Sequence, residues 1–313
     1  MGTIHDTVLR IRQRVAALGT GNWLLAVSGG MDSMVLLDAA AETLDHDTLT
    51  VATFDHGTGP AATAAVELVA ERALDLGLGC VSGTSRSRVR SEAAWREARW
   101  AFLNDVVGRL GATIVTAHTL DDQIETVFIR ALRGAGPRGL AGLYATSAIA
   151  RPLIETTQAE IAQYAAGDGT PYVTDPSNFD RRYLRNRVRL DLLPALEATT
   201  PGFGASLLQV AETASAWREQ TEAFALTFPM MSDSPQRHSF ERTRLRGYSA
   251  QSLGYIWPPL CARAGIVLDR RGTARLAEFT IKGETGQQIQ LSGGVAVHME
   301  RRAITFRSTA PRG

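Results

Sequence analysis

The chain has 313 residues, enough for two domains, and its 44% hydrophobic and 21% charged residues are typical of a soluble globular protein. The formal net charge of +1 does not by itself indicate a nucleic-acid-binding protein. No apolar run approaches the length of about 18 residues that a transmembrane helix needs, so we predict a cytoplasmic protein without a membrane span.

The few cysteines and lysines of the chain argue against cysteine-based sites and against a lysine-containing phosphate loop. Cys80 and Cys261 show no pairing pattern, which predicts a protein without disulfides or a cysteine metal site. Lys282 is the only lysine and is followed by Gly283, which excludes a P-loop NTPase because the Walker A loop needs Gly-Lys followed by Ser or Thr. The sequence leaves the oligomeric state, monomer or homodimer, open.

Up to about residue 190 the chain alternates short strand-like runs with longer helical ones. Asp6 is predicted to cap an amphipathic helix near the N-terminus. Strands are predicted at 23–28, 49–56 and 113–118, and helices at 33–43, 61–76, 92–110 and 120–134. This order predicts an α/β fold with a parallel sheet, helices on both faces, and ligands at the carboxyl ends of the strands.

The pattern then changes. Residues 192–204, with two prolines and two glycines, are the best candidate for a linker, and 203–226 predict one long helix. Apolar and polar residues alternate over 286–308, which predicts a β-hairpin or meander. The Ser-Gly-Gly at 292–294 is expected to be a turn. We therefore predict a catalytic α/β domain over 1–200 and a smaller α+β domain over 201–313.

The segment Ser28-Gly29-Gly30-Met31-Asp32-Ser33 stands between the first predicted strand and its helix. The glycines let the backbone turn tightly beside an anion, and the following helix directs free N–H groups and its positive end into the turn. This predicts a phosphate cradle without lysine. A carboxylate there repels phosphate unless it holds Mg²⁺, so Asp32 is a candidate metal ligand. The alternative is a glycine turn with Asp32 as a first-turn acid.

A second polar segment follows the third predicted strand. His118, Asp122 and Glu125 are spaced so that, if Thr119 caps the next helix, the two carboxylates share one face at the ligand-binding edge. Two carboxylates beside a nucleotide can bind a metal or an ammonium group. Asp121 is explained more simply as a first-turn acid that complements the helix dipole.

Arginines form two groups. Arg96 and Arg99 lie one turn apart on the helix predicted at 92–110, where an exposed face is the simpler explanation. Residues 181–189 contain five arginines, a pattern typical of either a solvated helix face or phosphate contacts.

The loop resembles the PP-loop of the N-type ATP pyrophosphatases, which cleave ATP between the α- and β-phosphates. Four segments, at 28–33, 95–103, 116–143 and 175–196, resemble in order the motifs of the tRNA(Ile)-lysidine synthase family. The resemblance implies a two-step reaction. ATP adenylates O2 of the wobble cytidine in a CAU anticodon of tRNA(Ile), and free L-lysine then attacks C2 and displaces AMP.

The resemblance also assigns residues. ATP phosphates and Mg²⁺ are expected at Ser28, Gly29, Gly30, Asp32 and Ser33, with Asp32 on the metal. Met31, within the same loop, is expected to contact the nucleotide. Catalytic positions are Asp32, Arg99, His118, Asp122, Glu125 and Arg189, of which Asp122, Glu125 and Arg99 would bind lysine. From their charge rather than from the resemblance, we expect Arg130, Arg133, Arg185 and Arg187 to contact tRNA phosphates.

Two features depart from the family pattern. The loop at 57–65 lacks the usual basic and hydroxyl residues, and Thr119 replaces a second histidine. Three alternatives remain: a PP-loop enzyme that thiolates tRNA, which needs a catalytic cysteine; a PP-loop ligase acting on a small carboxylate; and a catalytically inactive RNA-binding module.

Overall fold

The computed structural model describes residues 3–57, 59–85, 92–234 and 236–308. The chain divides into two compact units, Met1–Ala214 and Ser215–Gly313. In the described ranges, no helix is both long and apolar enough to cross a bilayer.

The sheet of the first unit is parallel, as predicted. Its described strands are β1 (Trp23–Ala26), β2 (Leu49–Asp55), β3 (Gly79–Thr84), β4 (Thr113–Val115) and β5 (Ile149–Ala150), in the order β3-β2-β1-β4-β5. The sequence did not predict β3 or β5, because β3 is a largely exposed edge strand and β5 has only two residues. Both β1 and β4 end earlier than predicted, and the polar residues after them form loops.

The helices of this unit follow the strands in the predicted order. They are α1 (Ile4–Ala16), α2 (Met31–Thr43), α3 (Pro60–Asp75), α4 (Glu92–Leu110), α5 (Leu120–Leu132), α6 (Pro137–Leu140) and α7 (Gln158–Asp168). The predicted cap of α1 was wrong: Thr3 is the N-cap residue, and Asp6 accepts a hydrogen bond from the Thr3 N–H as the partner in a capping box.

Helices cover both faces of the sheet because successive strand residues point in opposite directions. Leu25 of β1 belongs to the larger apolar core, which contains residues of α1, α2 and α7. Its neighbour Leu24 packs with Leu103 and Val106 of α4 on the other face. Leu24 and Leu25 are both completely buried, which explains why β1 is a continuous apolar run.

A helical run follows the arginine-rich segment: α8 (Leu184–Arg187), a π-helical turn (Val188–Leu192) and α9 (Leu193–Thr199), then α10 (Phe203–Leu226). The predicted linker was therefore partly wrong, because residues 193–199 are helical. Pro194 lies in the first turn of α9, where a missing N–H costs little.

The second unit contains the C-terminal half of α10, followed by an antiparallel sheet with two further α-helices among its described residues. Its described elements are β6 (Met230–Ser234), β7 (Arg237–Glu241), α11 (Ala250–Arg263), α12 (Arg270–Lys282), β8 (Gln288–Leu291), β9 (Val295–Met299) and β10 (Ala303–Ser308), and the strand order is β6-β7-β10-β9-β8. Trp257, Phe240 and Phe306 form the centre of its core. The second Ser-Gly-Gly is the turn between β8 and β9, as predicted.

Candidate active site

The loop after β1 is held in shape by a close approach between two segments. Gly29 has φ +82°, and a Cβ there would lie 2.8 Å from both Cβ and O of Ala65 in α3. The Gly29 carbonyl also accepts a hydrogen bond from Val173 N at 2.9 Å. Only glycine satisfies both the positive φ and the contact with α3, so the backbone path of the loop is fixed from two sides.

Two serines close the loop onto the start of α2. Ser33 Oγ donates to the Gly30 carbonyl at 2.8 Å and accepts from Ser28 N at 3.1 Å, and the two hydroxyl oxygens lie 3.2 Å apart. Gly30 is the N-cap residue of α2 and has no side chain to bond the first helical N–H groups. These N–H groups can therefore donate to an anion, and Ser28 can do so by turning its hydroxyl away from Ser33. Met31, partly buried, packs against the main core.

Asp32 is held by a residue that the sequence did not single out. Gln158 Nε2 donates to Asp32 Oδ1 at 2.5 Å, and Gln158 N donates to Asp121 Oδ2 at 2.7 Å. Gln158 is the first residue of α7, so Asp121 accepts from the first N–H group of that helix in addition to lying in the first turn of α5. Burial raises the pKa of Asp32, opposed by the Gln158 hydrogen bond.

His118 ends the loop after β4. Its Nδ1 lies 2.8 Å from Thr116 Oγ1, and Thr119 caps α5 in a capping box with Asp122, as the sequence predicted. Burial lowers the pKa of His118 to about 4, an effect that Asp122 opposes. The imidazole is therefore neutral near pH 7.

Arg99 projects from α4 into the same region. Its Nε is buried without a hydrogen-bond partner among the described residues, and burial, with a smaller effect of Arg96, lowers its pKa. His56 Nδ1, after β2, is also buried and without a partner within the described ranges. Buried donors of this kind are costly unless a ligand pairs with them.

Four charged side chains meet where α5 faces the helical run after residue 184. Arg185 donates from Nη2 to Asp122 Oδ1 and from Nε to Glu125 Oε2, both at 2.7 Å. Arg189 Nε lies 3.6 Å from Glu125 Oε1. Burial raises the pKa of Glu125, and the ion pair with Arg185 lowers it. The structure thus brings Asp122 and Glu125 together with Arg189 and with Arg185, which the sequence analysis had assigned to tRNA phosphates.

A cavity of about 630 Å³ opens above the loop, and a second of about 200 Å³ adjoins it. Predicted residues lining the larger cavity are Ser28, Gly30, Met31, Asp32, Ser33, Arg99, His118 and Arg189. Ser28, Gly30 and Arg99 also line the smaller one, together with His56 and three alanines of α3, Ala61, Ala62 and Ala65. The unusual segment 57–65 therefore includes the first turns of α3, whose alanines line the smaller cavity. Thr58 of this segment lies outside the described residues.

Comparison with known proteins identifies the family. Residues 4–196 match the family described as the PP-loop domain. The chain is 35% identical over 267 residues to tRNA(Ile)-lysidine synthase of Methylobacterium nodulans, covering 82% of this chain and 71% of the relative. It is 37% identical over 232 residues to the enzyme of the same name from Novosphingobium aromaticivorans, covering 68% and 69%.

The chain belongs to the tRNA(Ile)-lysidine synthase family of PP-loop proteins. Among solved structures, the U34-tRNA thiolase NcsA of Methanococcus maripaludis, with its 4Fe–4S cluster, aligns with a TM-score of 0.54 at 17% identity, over 67% of this chain and 78% of that one. At this identity the likeness concerns the fold. Cys80 is exposed on β3 and Cys261 is buried in the second unit, so neither lines the cavities of the PP-loop.

The arginines expected to contact tRNA have different surroundings. Arg130 Nη1 donates to the carbonyl of Gly139 at 2.7 Å and lies 3.4 Å from that of Gly142, so it holds the segment after α5. Arg185 binds the α5 carboxylates. Arg133 and Arg187 are exposed.

The residues around Asp32 fit a metal ion that arrives with its substrate. Within the described residues, no group of three or more His, Cys, Asp or Glu side chains could hold a metal. Asp32 supplies one carboxylate beside the loop. Mg²⁺ is commonly bound by one or two carboxylates, with phosphate oxygens and water completing its shell.

Proposed function

We propose that this protein ligates lysine to C2 of the wobble cytidine in the CAU anticodon of tRNA(Ile), converting ATP to AMP and pyrophosphate through an adenylated cytidine. The observation that carries this is one cavity lined by the phosphate loop, Asp32, Arg99, His118 and Arg189, with the carboxylates of Asp122 and Glu125 beside it. This arrangement supports an ATP site beside an amine site, as the two half-reactions require.

We assign the nucleotide to the junction of the two cavities. The smaller cavity has an apolar wall that includes Ala52, Phe54 and Ala65, which suits a flat adenine ring. The phosphates would then reach the N-terminus of α2, where backbone N–H groups can donate and where Ser28 can turn its hydroxyl toward them. Arg99 lines both cavities and can compensate charge on the α-phosphate during adenyl transfer.

Asp32 would hold Mg²⁺ together with phosphate oxygens. When bound, the ion would neutralise negative charge on the phosphates. The protein contributes the orientation of this carboxylate, because Gln158 donates a hydrogen bond to Asp32.

We assign an ammonium group of lysine to Asp122 and Glu125, and its carboxylate to an arginine of the cavity, Arg99 or Arg189. A neutral His118 does not repel the incoming ammonium. The amine must lose a proton before it attacks C2, and the candidate bases are His118 and a carboxylate of the Asp122–Glu125 pair.

The domain predicted over 201–313 is proposed to contact tRNA. The unit Ser215–Gly313 has 14 Lys and Arg against 8 Asp and Glu, whereas the whole chain has 33 against 32. An excess of positive charge in one unit suits the phosphate backbone of RNA. A tRNA substrate and free lysine also support a cytoplasmic location.

The test uses ATP, Mg²⁺, labelled lysine and an isoleucine tRNA transcript with a CAU anticodon. We expect label in the tRNA, and AMP production that requires both lysine and tRNA. Asp32→Asn should reduce the rate by at least about 100-fold, whereas Asp47→Asn, an exposed acid outside the cavity, should not change it. AMP production with a small carboxylate and no RNA would instead favour the amide-ligase alternative.

A further inference from the structure

Arg185 occupies the carboxylate oxygens that a cationic substrate would need. Its guanidinium bridges Asp122 Oδ1 and Glu125 Oε2 with two contacts of 2.7 Å. The second oxygen of Asp122, Oδ2, accepts from Thr119 N at 2.9 Å and belongs to the cap of α5. Glu125 Oε1 is 3.6 Å from Arg189 Nε, beyond hydrogen-bond distance. Glu125 Oε1 is therefore the least engaged acceptor of the four.

An ammonium group has three donors and gains most of its binding energy from short contacts with carboxylates. With Arg185 in place, it would find one weakly engaged oxygen and a guanidinium of like charge beside it. With Arg185 displaced, it would find one oxygen of Asp122 and both oxygens of Glu125. The same acceptors cannot serve both cations fully.

We propose that Arg185 is a resident counter-ion of the amine site, which the ammonium group of lysine displaces when it binds; this rests on the function proposed above. Arg185 balances the carboxylates of Asp122 and Glu125 in the absence of substrate and sets the affinity for lysine by competing with it. This role is separate from any contact of Arg185 with tRNA.

The carboxylates are more deeply buried than Arg185, which makes it feasible for lysine to replace the arginine. The Glu125 side chain is only 3% exposed and that of Asp122 20%, so their charges need a nearby cation. The Arg185 side chain is 46% exposed and lies in the short helix α8, so it can turn into solvent while keeping its own charge hydrated. The fixed element is the carboxylate pair, and the exchangeable element is the cation.

The test measures the dissociation constant of labelled lysine by equilibrium dialysis with the full chain and saturating ATP analogue. Arg185→Gln removes the competitor, so lysine should bind about three- to tenfold more tightly, the size expected for a partly exposed ion pair. Arg185→Lys retains a competing charge and should stay within about twofold of the wild type. Thermal unfolding of each variant checks the fold, and Arg185→Met, which keeps the aliphatic stem, replaces the glutamine variant if that one does not fold.

Arg182→Gln is the matched control. Arg182 lies on the same segment, is 85% exposed and pairs with Asp180, so its removal should leave lysine affinity unchanged. Weaker or unchanged lysine binding by folded Arg185→Gln would overturn the inference and show that Arg185 supports the site. Failure of the wild type to bind lysine or transfer it to tRNA would instead reject the proposed function.

Discussion

Gln158 and Asp32 are joined by a hydrogen bond of 2.5 Å from Nε2 to Oδ1, although 126 residues separate them in the chain. The amide is neutral, so it directs the carboxylate without cancelling its charge. Gln158 is itself fixed at the start of α7, where Thr157 caps the helix and Asp121 accepts from Gln158 N. Asp32 is thus aimed by the first turn of a different helix.

Gln158→Ala should raise the Mg²⁺ concentration needed for half-maximal ATP binding by about tenfold, because the freed carboxylate loses orientation worth roughly one charged hydrogen bond. Fluorescence titration of an ATP analogue at varied Mg²⁺ measures this without turnover. Gln163→Ala is the matched control, since Gln163 lies on the same helix and accepts from Thr7 Oγ1 instead. An unchanged Mg²⁺ requirement would show that Asp32 does not depend on Gln158.

Gly29→Ala should lower the free energy of unfolding by about 1–3 kcal/mol, because the residue has positive φ and its Cβ would overlap Ala65. Urea denaturation measures this. At Gly30, φ is −76° and a Cβ would meet only Ser28 Oγ, at 3.7 Å. Gly30→Ala should therefore change the unfolding free energy by less than about 0.5 kcal/mol. Equal effects of the two substitutions would contradict the contact with α3.

Arg99→Gln should make the free protein more stable while reducing turnover by at least about 100-fold. The buried Nε has no partner in the part of the chain that the structure describes, and it costs free energy until a ligand supplies an anion. The melting temperature without ATP tests the expected gain in stability, and the single-turnover rate with ATP tests the expected loss of activity. Arg96→Gln, one turn away and exposed, should alter neither. A lower melting temperature for Arg99→Gln would mean that Arg99 stabilises the fold.

His118 should make the protein less stable in acid. Its pKa is lowered to about 4 in the folded state, from a model-peptide value near 6.5, so the unfolded chain binds the extra proton first. Stability from this residue is present above pH 6.5 and is lost as the pH falls toward 4. Between pH 6.5 and 4.5 the unfolding free energy of the wild type should fall by about 2 kcal/mol more than that of His118→Asn. If the unfolding free energies of the wild type and His118→Asn changed equally with pH, His118 would not be the cause of the loss of stability.

The sequence alone determined the parts of the site that depend on neighbouring residues. The strand, the Ser-Gly-Gly-Met-Asp-Ser loop and the following helix are contiguous, so their order predicted the phosphate cradle and the edge of the sheet where it lies. The spacing of Thr119, Asp122 and Glu125 likewise predicted a capped helix with two carboxylates on one face, because a helix repeats every 3.6 residues.

Only the tertiary structure decided how distant segments meet. Arg185 and Glu125 are 60 residues apart. Nothing in the arginine-rich run distinguishes Arg185, which binds the carboxylates of α5, from Arg182, which pairs with the nearby Asp180. The π-helical turn at 188–192 and the approach of Ala65 to Gly29 also have no signature in local composition. Periodicity describes which face of an element is apolar, whereas pairing of charges across elements depends on packing, and packing decided which cation occupies the Asp122–Glu125 site.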